Sequence, residues 1–229
     1  MVQKIYFDTL TSTNTYAKEE ISNLILPSLI VANEQTAGRG RRGNTFFSPK
    51  DTGLYMTLAF KEKGNSELLT PAAAVAVCDA LTMLGITPKI KWVNDVFLNG
   101  KKVCGILTER FLHNGSAYIA LGIGINISTC RFPEGLDIAG SINTECDKYA
   151  LADNICKSIL EYVDNPDNEN IIKKYRSLLF ILGREVSYFQ NNTEYYGTVI
   201  DINDQCNLII RHSDNSENVL SSGEISIKI

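Results

Sequence analysis

The sequence predicts an α+β fold, a mixed β-sheet with flanking helices over residues 1–182, followed by a small β domain over residues 183–229. Three observations carry that expectation. Short β-like runs and helical stretches are interspersed through the first part, with no internal repeat. The dipeptide Asn99-Gly100 between two apolar runs is a strong two-residue hairpin signal, so part of the sheet is antiparallel. After Gly183 the texture changes to short β-rich runs separated by Asn, Asp, Ser and Gly turns. That last segment is too small to bury a convincing core alone and is expected to dock on the first.

The elements follow in order. "KIYFD" (4–8) reads as a strand and runs into "TSTNTYAKEEI", where Ser12 or Thr13 can cap a helix beginning near Asn14. "LIVANEQ" (29–35) is apolar and β-like, a glycine–arginine loop follows, and "GLYMTLAF" (53–60) is the next strand. "TPAAAVAVCDALTMLG" (70–85) predicts a buried helix, with Thr70 as cap, Pro71 in the first turn and Gly85 as stop. "IKWVNDVFLNGKKVCGILTER" (90–110) predicts strands around Asn99-Gly100. "AYIALGIGINI" (117–127) pairs with it across "HNGS" and is expected to offer an edge through which a second copy could form a homodimer. Two helices are expected at 147–163 and 168–182, with Leu151, Ile155 and Ile159 four apart and Gly183 as the final stop.

Composition limits the function classes. The chain has 229 residues and a formal net charge of −4, with a sequence pI of about 5.3. Dedicated nucleic-acid-binding domains are usually basic, with a pI above about 9. No run approaches the roughly 18 apolar residues that a membrane span needs. The N-terminus "MVQKIYFDTL" lacks an export signal, so a cytoplasmic protein is expected. Cys78, Cys104, Cys130, Cys146, Cys156 and Cys206 form no Cys-x-x-Cys pair and read as reduced, mostly buried thiols. The two histidines, His113 and His212, read as surface residues, which leaves little for zinc or a histidine-dependent triad.

Two stretches carry chemistry. "EQTAGRGRRGNTFFSP" (34–49) sets Arg39, Arg41 and Arg42 among Gly38, Gly40 and Gly43. Glycines let backbone N–H groups approach a ligand, and guanidinium forks suit phosphate or carboxylate. A solvated loop, a nucleic-acid arm and a pocket for one phosphate-bearing small molecule are all open readings. The run occurs once, between two strands of a folded domain, and the pocket fits that placement best. In "KWVNDVFLNGKKVCGILTE" (91–109), Asp95 could hold Mg²⁺ together with substrate phosphates, and Lys91 and Lys102 could balance a polyphosphate. The plainer alternative makes those lysines hairpin surface and Trp92 core. "GIGIN" (122–126) is a weak signal alone, marking close approach of a backbone or ligand. No G-x-x-x-x-G-K-[ST] occurs.

Taken in order along nearly the whole chain, "STN" (12–14), "EQTAGRGRRG" (34–43), "GLYMTL" (53–58), "KWVND" (91–95), "KKVCGILTE" (101–109) and "GIGIN" resemble the biotin–protein ligases, or biotin–acetyl-CoA-carboxylase synthetases. The resemblance implies the class II synthetase-like, biotin–lipoate ligase fold with a C-terminal SH3-like β-barrel. It further implies that biotin is activated with Mg²⁺ and ATP to biotinyl-5′-adenylate and passed to one lysine of a biotin carboxyl carrier protein. By similarity, Ser12, Thr13, Asn14 and Gln35 would bind the ureido ring, and Gly38, Arg39, Gly40 and Arg41 would wrap the ligand. Gly105, Ile106 and Leu107 would floor the biotin site. Lys102 would be the chief catalytic residue, with Arg41 and Lys91 beside it. Arg39, Arg41, Arg42, Phe46, Asn94, Lys102 and Asn126 would bind ATP or the adenylate, and Asp95 would serve Mg²⁺.

The match has departures. Val93 stands where many members have Pro, and Asn44 and Phe46 where many have a basic residue and Trp. Motif sequence begins within about ten residues of Met1, so no DNA-binding domain and no DNA partner are expected. Two other readings are a lipoate or octanoate ligase or transferase of the same fold, and a non-enzymatic nucleic-acid binder using the arginines.

Overall fold

In the computed structural model, residues 1–64, 66–190, 193–223 and 225–227 are described. The first half of the chain forms β1 (Gln3–Leu10), α1 (Thr13–Glu19), β2 (Ser28–Gln35), β3 (Gly53–Lys61) and α2 (Leu69–Thr82). The motif-rich middle forms β4 (Lys89–Lys91), β5 (Asp95–Leu98), β6 (Lys101–His113) and β7 (Ser116–Asn126). Then come α3 (Lys148–Asp164) and α4 (Asn168–Leu178). The strands assemble as one sheet in the order β1-β2-β3-β7-β6-β5-β4, in which β1 and β2 are parallel and the other neighbours antiparallel. This is the expected mixed sheet.

Side-chain alternation decides what each face does. In β7, Ile119, Leu121, Ile123 and Ile125 join the main core, while Ala120, Gly122, Gly124 and Asn126 alternate with them on the other face. β3 repeats the pattern, with Leu54, Met56, Leu58 and Phe60 in the core and Tyr55, Thr57 and Ala59 between them. Helices α2, α3 and α4 cover the large-residue face. Eleven of the fourteen residues of α2 are buried, as its alanine-rich sequence demands of a helix packed on several sides. The short α1 packs on the opposite face against β2, β3 and β7, where small residues leave room.

Four expectations are corrected. Strand β7 lies between β3 and β6, so it offers no edge for a homodimer; the sheet ends at β1 and β4. Thr70 is not the cap of α2, because the helix starts two residues earlier from Leu68, and the Thr70 hydroxyl instead meets Thr108 Oγ1 at 2.8 Å. Helix α4 stops at Leu178, since Leu179 turns extended and the Phe180 N–H reaches the Ile90 carbonyl at 3.3 Å. Gly183, at φ 76°, therefore turns the chain into the next strand rather than ending a helix. Both histidines lie partly exposed at the surface as expected, His113 Nε2 2.7 Å from Ser22 Oγ and His212 Nδ1 2.8 Å from the Tyr196 carbonyl. Both Asn-Gly turns, at 99–100 and 114–115, have the paired positive φ values that two-residue hairpins use.

The C-terminal segment forms β8 (Glu185–Gln190), β9 (Thr193–Ile202), β10 (Leu208–Arg211), β11 (Glu217–Leu220) and β12 (Ile225–Ile227), an antiparallel SH3-like sheet in the order β11-β10-β9-β8-β12. Residues 191–192 and 228–229 of the expected β segment lie outside the described residues. Its apolar face is continuous with the main core through Val186, Tyr188, Val199 and Ile210. Polar bonds register the junction: Trp92 Nε1 donates to the Cys206 carbonyl at 2.8 Å, and Arg176 bonds Asp201 at 2.8 Å and the Ile202 carbonyl at 3.0 Å.

Candidate active site

The glycine–arginine loop is a β-like tongue laid over the small-residue face. Residue pairs Gln35/Ser48 and Arg39/Thr45 bridge its two limbs, and the Phe46 N–H bonds the Gly38 carbonyl at 2.9 Å. At its tip Arg42 takes φ 55°. The ring of Phe46 rests on Gly105 and Gly124, which face each other across β6 and β7. A Cβ on Gly124 would run into that ring, and one on Gly122 would run into the Asn14 carboxamide. The "GIGIN" glycines are thus the space into which α1 and the tongue pack their side chains.

Beneath the tongue lies a cavity of about 340 Å³, within the usual range for a small-molecule site. One end is uncharged and hydrogen-bonded. Ser12 caps α1, and Gln35 Oε1 accepts from the Thr13 N–H at 2.9 Å and from its hydroxyl at 3.1 Å. Asn14 Oδ1 accepts from the fully buried Thr57 at 2.5 Å. Gly105, Ile106 and Leu107 line the cavity alongside.

The other end is charged. Lys102 Nζ lies 2.7 Å from Asp95 Oδ1, an ionic contact without favourable hydrogen-bond angles at that oxygen. Arg41 Nη1 donates to Asn94 Oδ1 at 3.0 Å, and Asn94 Nδ2 to the Ile106 carbonyl at 2.8 Å, so the tongue is keyed to β6 through one asparagine. Arg41, Lys91 and Lys102 line the wall there with Asp95, the one carboxylate among the described lining residues, while Arg39, also on the wall, turns its guanidinium to Glu109 at 3.0 Å. No His or Cys is among the described residues that line it. Among the described residues there is no cluster of three or more His, Cys, Asp or Glu that could hold a metal ion.

Most residues singled out in the sequence therefore converge on one cavity, Ser12, Thr13, Asn14, Gln35, Gly40, Phe46 and Asn94 among them. Gly38, Arg42 and Asn126 do not line it. Gly38 sits at the tongue's base, Arg42 is exposed at its tip, and Asn126 is buried, its Nδ2 donating to the Gly140 carbonyl at 2.9 Å.

Comparison with known proteins accords with this geometry. The profile of the Biotin/lipoate A/B protein ligase family matches residues 6–126, and that of the Biotin protein ligase C terminal domain matches 181–228. The chain belongs to the biotin/lipoate A/B protein ligase family. Bifunctional ligase/repressor BirA of Bacillus subtilis is 29% identical over 235 residues, covering 95% of this chain and 72% of that protein. Biotin protein ligase from Aquifex aeolicus in complex with biotin and ATP superposes with a TM-score of 0.82 at 26% identity, covering 99% of this chain and 98% of the other. Biotin protein ligase from Leishmania major in complex with biotinyl-5-AMP gives a TM-score of 0.66 at 26% identity, covering 96% and 99%.

This family member also has wall residues that sequence reasoning missed. Ile138, Gly223, Ile225 and Ser226 close the cavity from segments more than 30 residues beyond Lys102. No local motif marks them, because only the docking of β12 and of the irregular segment 136–142, bridged to Lys102 through Ala139, brings them there.

Proposed function

We infer that this chain joins biotin to ATP, releasing pyrophosphate and forming biotinyl-5′-adenylate, and then transfers biotin to a lysine of a biotin carboxyl carrier protein. The observation that carries this reading is the cavity's division into an end lined by uncharged, hydrogen-bonding side chains and an end where, among the described residues, Arg41, Lys91 and Lys102 stand beside Asp95. Adenylation brings two anions together, and a protein of net charge −4 that concentrates cations there has built for that problem.

In the first step a biotin carboxylate oxygen attacks the α-phosphorus, and the bond from that phosphorus to the bridging oxygen of pyrophosphate breaks. Lys102 would offset the charge between carboxylate and α-phosphate, with Arg41 and Lys91 flanking it. In the second, the carrier lysine amine attacks the acyl carbonyl, and AMP leaves with the electrons of the mixed anhydride bond. Neither step uses a protein nucleophile, so positioning and electrostatics suffice. Ser12, Thr13, Asn14 and Gln35 would receive the ureido ring, whose N–H and C=O groups need fixed donors and acceptors. Asn94, Arg39 and Phe46 would hold the nucleotide side, with Arg42 and Asn126 acting from outside the wall.

Mg²⁺ would enter as the companion of ATP. Among the described residues Asp95 is the one carboxylate on the wall and one of its oxygens faces Lys102, so the triphosphate would supply most of the ion's ligands. We read residues 1–182 as the adenylating unit and 183–229 as a cap that contributes Ile225 and Ser226 to the site. The six unpaired cysteines fit a reducing, cytoplasmic setting.

The test is biotin-dependent exchange of labelled pyrophosphate into ATP, with lipoate and octanoate in parallel. Exchange with biotin alone is expected. Exchange with lipoate or octanoate in its place would move the chain to the related acyl transferases, and silence with all three in a folded sample would overturn the reading.

A further inference from the structure

Glu109 lies outside the cavity wall, and the reaction above gives it no part. Yet three groups from two other parts of the chain converge on its half-buried carboxylate. Asn14 Nδ2 reaches Oε2 at 2.9 Å, Arg39 Nη1 reaches the same oxygen at 3.0 Å, and Lys18 Nζ reaches Oε1 at 2.8 Å. The partners come from α1 and from the tongue, 95 and 70 residues away for Asn14 and Arg39. Burial alone would push this carboxyl up, but hydrogen bonds from Lys18 and Asn14 and the charges of Lys18 and Arg39 outweigh it and hold it below its ordinary value.

The arrangement also selects one orientation of the Asn14 amide. Its Nδ2 faces three acceptors, Glu109 and the Leu107 and Ala120 carbonyls at 3.3 and 3.5 Å, while Oδ1 faces the Thr57 hydroxyl. Reversing the amide would set its oxygen against the carboxylate and two carbonyls, so the charge on Glu109 adds the strongest acceptor to those that fix how Asn14 presents itself to the cavity.

We propose that Glu109 is a positioning residue that fixes the Asn14 carboxamide and latches the glycine–arginine tongue to it through Arg39. Its effect on biotin rests on the ligase reading; the latch does not.

The test therefore has two arms, both on the full chain. In the first, trypsin cleavage after Arg41 or Arg42 is timed without ligand. Glu109→Gln is expected to raise the rate roughly three- to fivefold, the scale of a partly exposed ion pair. Arg39→Met should do the same, the double variant should go no further, and Lys18→Met, which leaves the Arg39 contact in place, should cleave at the parent rate. In the second, biotin-dependent pyrophosphate exchange is measured. Glu109→Gln, which keeps an acceptor for Asn14, should raise KM for biotin only a few-fold, whereas Glu109→Ala should raise it about tenfold or more, with kcat little changed. Parent-like cleavage in Glu109→Gln, or additive effects of the Arg39 and Glu109 variants, overturns the latch. A lowered kcat at unchanged KM overturns the positioning role. No exchange in the parent itself overturns the ligase reading, and the cleavage arm then still decides the latch.

Discussion

Lys102 holds its ammonium 2.7 Å from Asp95, so engaging a carboxylate and an α-phosphate means exchanging one anionic partner for two. That exchange costs little only where further cations share the load, and Arg41 and Lys91 stand on the same wall. Lys102→Ala is expected to lower biotin-dependent pyrophosphate exchange by about 10²–10³-fold, the scale of losing one preorganised transition-state contact. The fold should persist, so near-parental exchange in a sample with unchanged circular dichroism would refute the role. Gly122 makes a different demand. Its missing side chain is the space that the Asn14 carboxamide occupies, and a methyl group there would displace the amide from both Thr57 and Glu109. Gly122→Ala should destabilise the protein by roughly 1–3 kcal/mol, as overpacking does. It should also raise KM for biotin, and a variant with parental stability and KM would show that the amide's position does not matter.

Strands and tongue explain how much was legible beforehand. The period-two alternation of "YIALGIGIN" already separated a large-residue face from a small one, because a strand's pleat forces that separation. The hairpins at Asn99-Gly100 and Asn114-Gly115 were legible for the same local reason. What was not legible depends on partners remote in sequence. Whether β7 is an edge is decided by β3, about 60 residues earlier, and Glu109 becomes a hub only when α1 and the tongue reach it. Thr70 looked like a cap because its neighbour is Pro71, yet helix α2 has no side-chain cap at all. The hub gives the tongue a pH signature. The folded-state pKa of Glu109 lies below its ordinary value of 4.5, so its stabilisation is present above that pH and is lost as pH falls through the folded value. The gap in Tm between the parent and Glu109→Gln should hold steady from neutral pH to about 5 and close in more acid solution. A gap that widens on acidification would contradict the ion-pair account.

Across the whole molecule the two sheets share one apolar core, and the junction is pinned where the site begins. Trp92, the chain's single tryptophan, is 4% exposed and donates its indole N–H to the Cys206 carbonyl, while Tyr175 reaches the Val93 carbonyl at 2.9 Å from α4. The segment from Lys91 to Asp95 therefore ties the charged end of the cavity to the C-terminal sheet, which in turn sends Ile225 and Ser226 into the wall. A C-terminal sheet of this size has too little interior to hold its fold without that junction. Unfolding should accordingly be a single cooperative event. Urea titration followed by tryptophan fluorescence, which reports the junction, and by far-ultraviolet circular dichroism, which reports both sheets, should give coincident curves. Trp92→Phe keeps most of the ring's packing but leaves the buried Cys206 carbonyl without its donor, and should cost about 1–3 kcal/mol. If the junction is the only strong tie, that variant's circular dichroism should still show one transition at lower urea. A separate early transition in the parent, with the fluorescence change preceding the loss of sheet signal, would mean that the C-terminal sheet undocks on its own and that the cavity wall it supplies is a movable part.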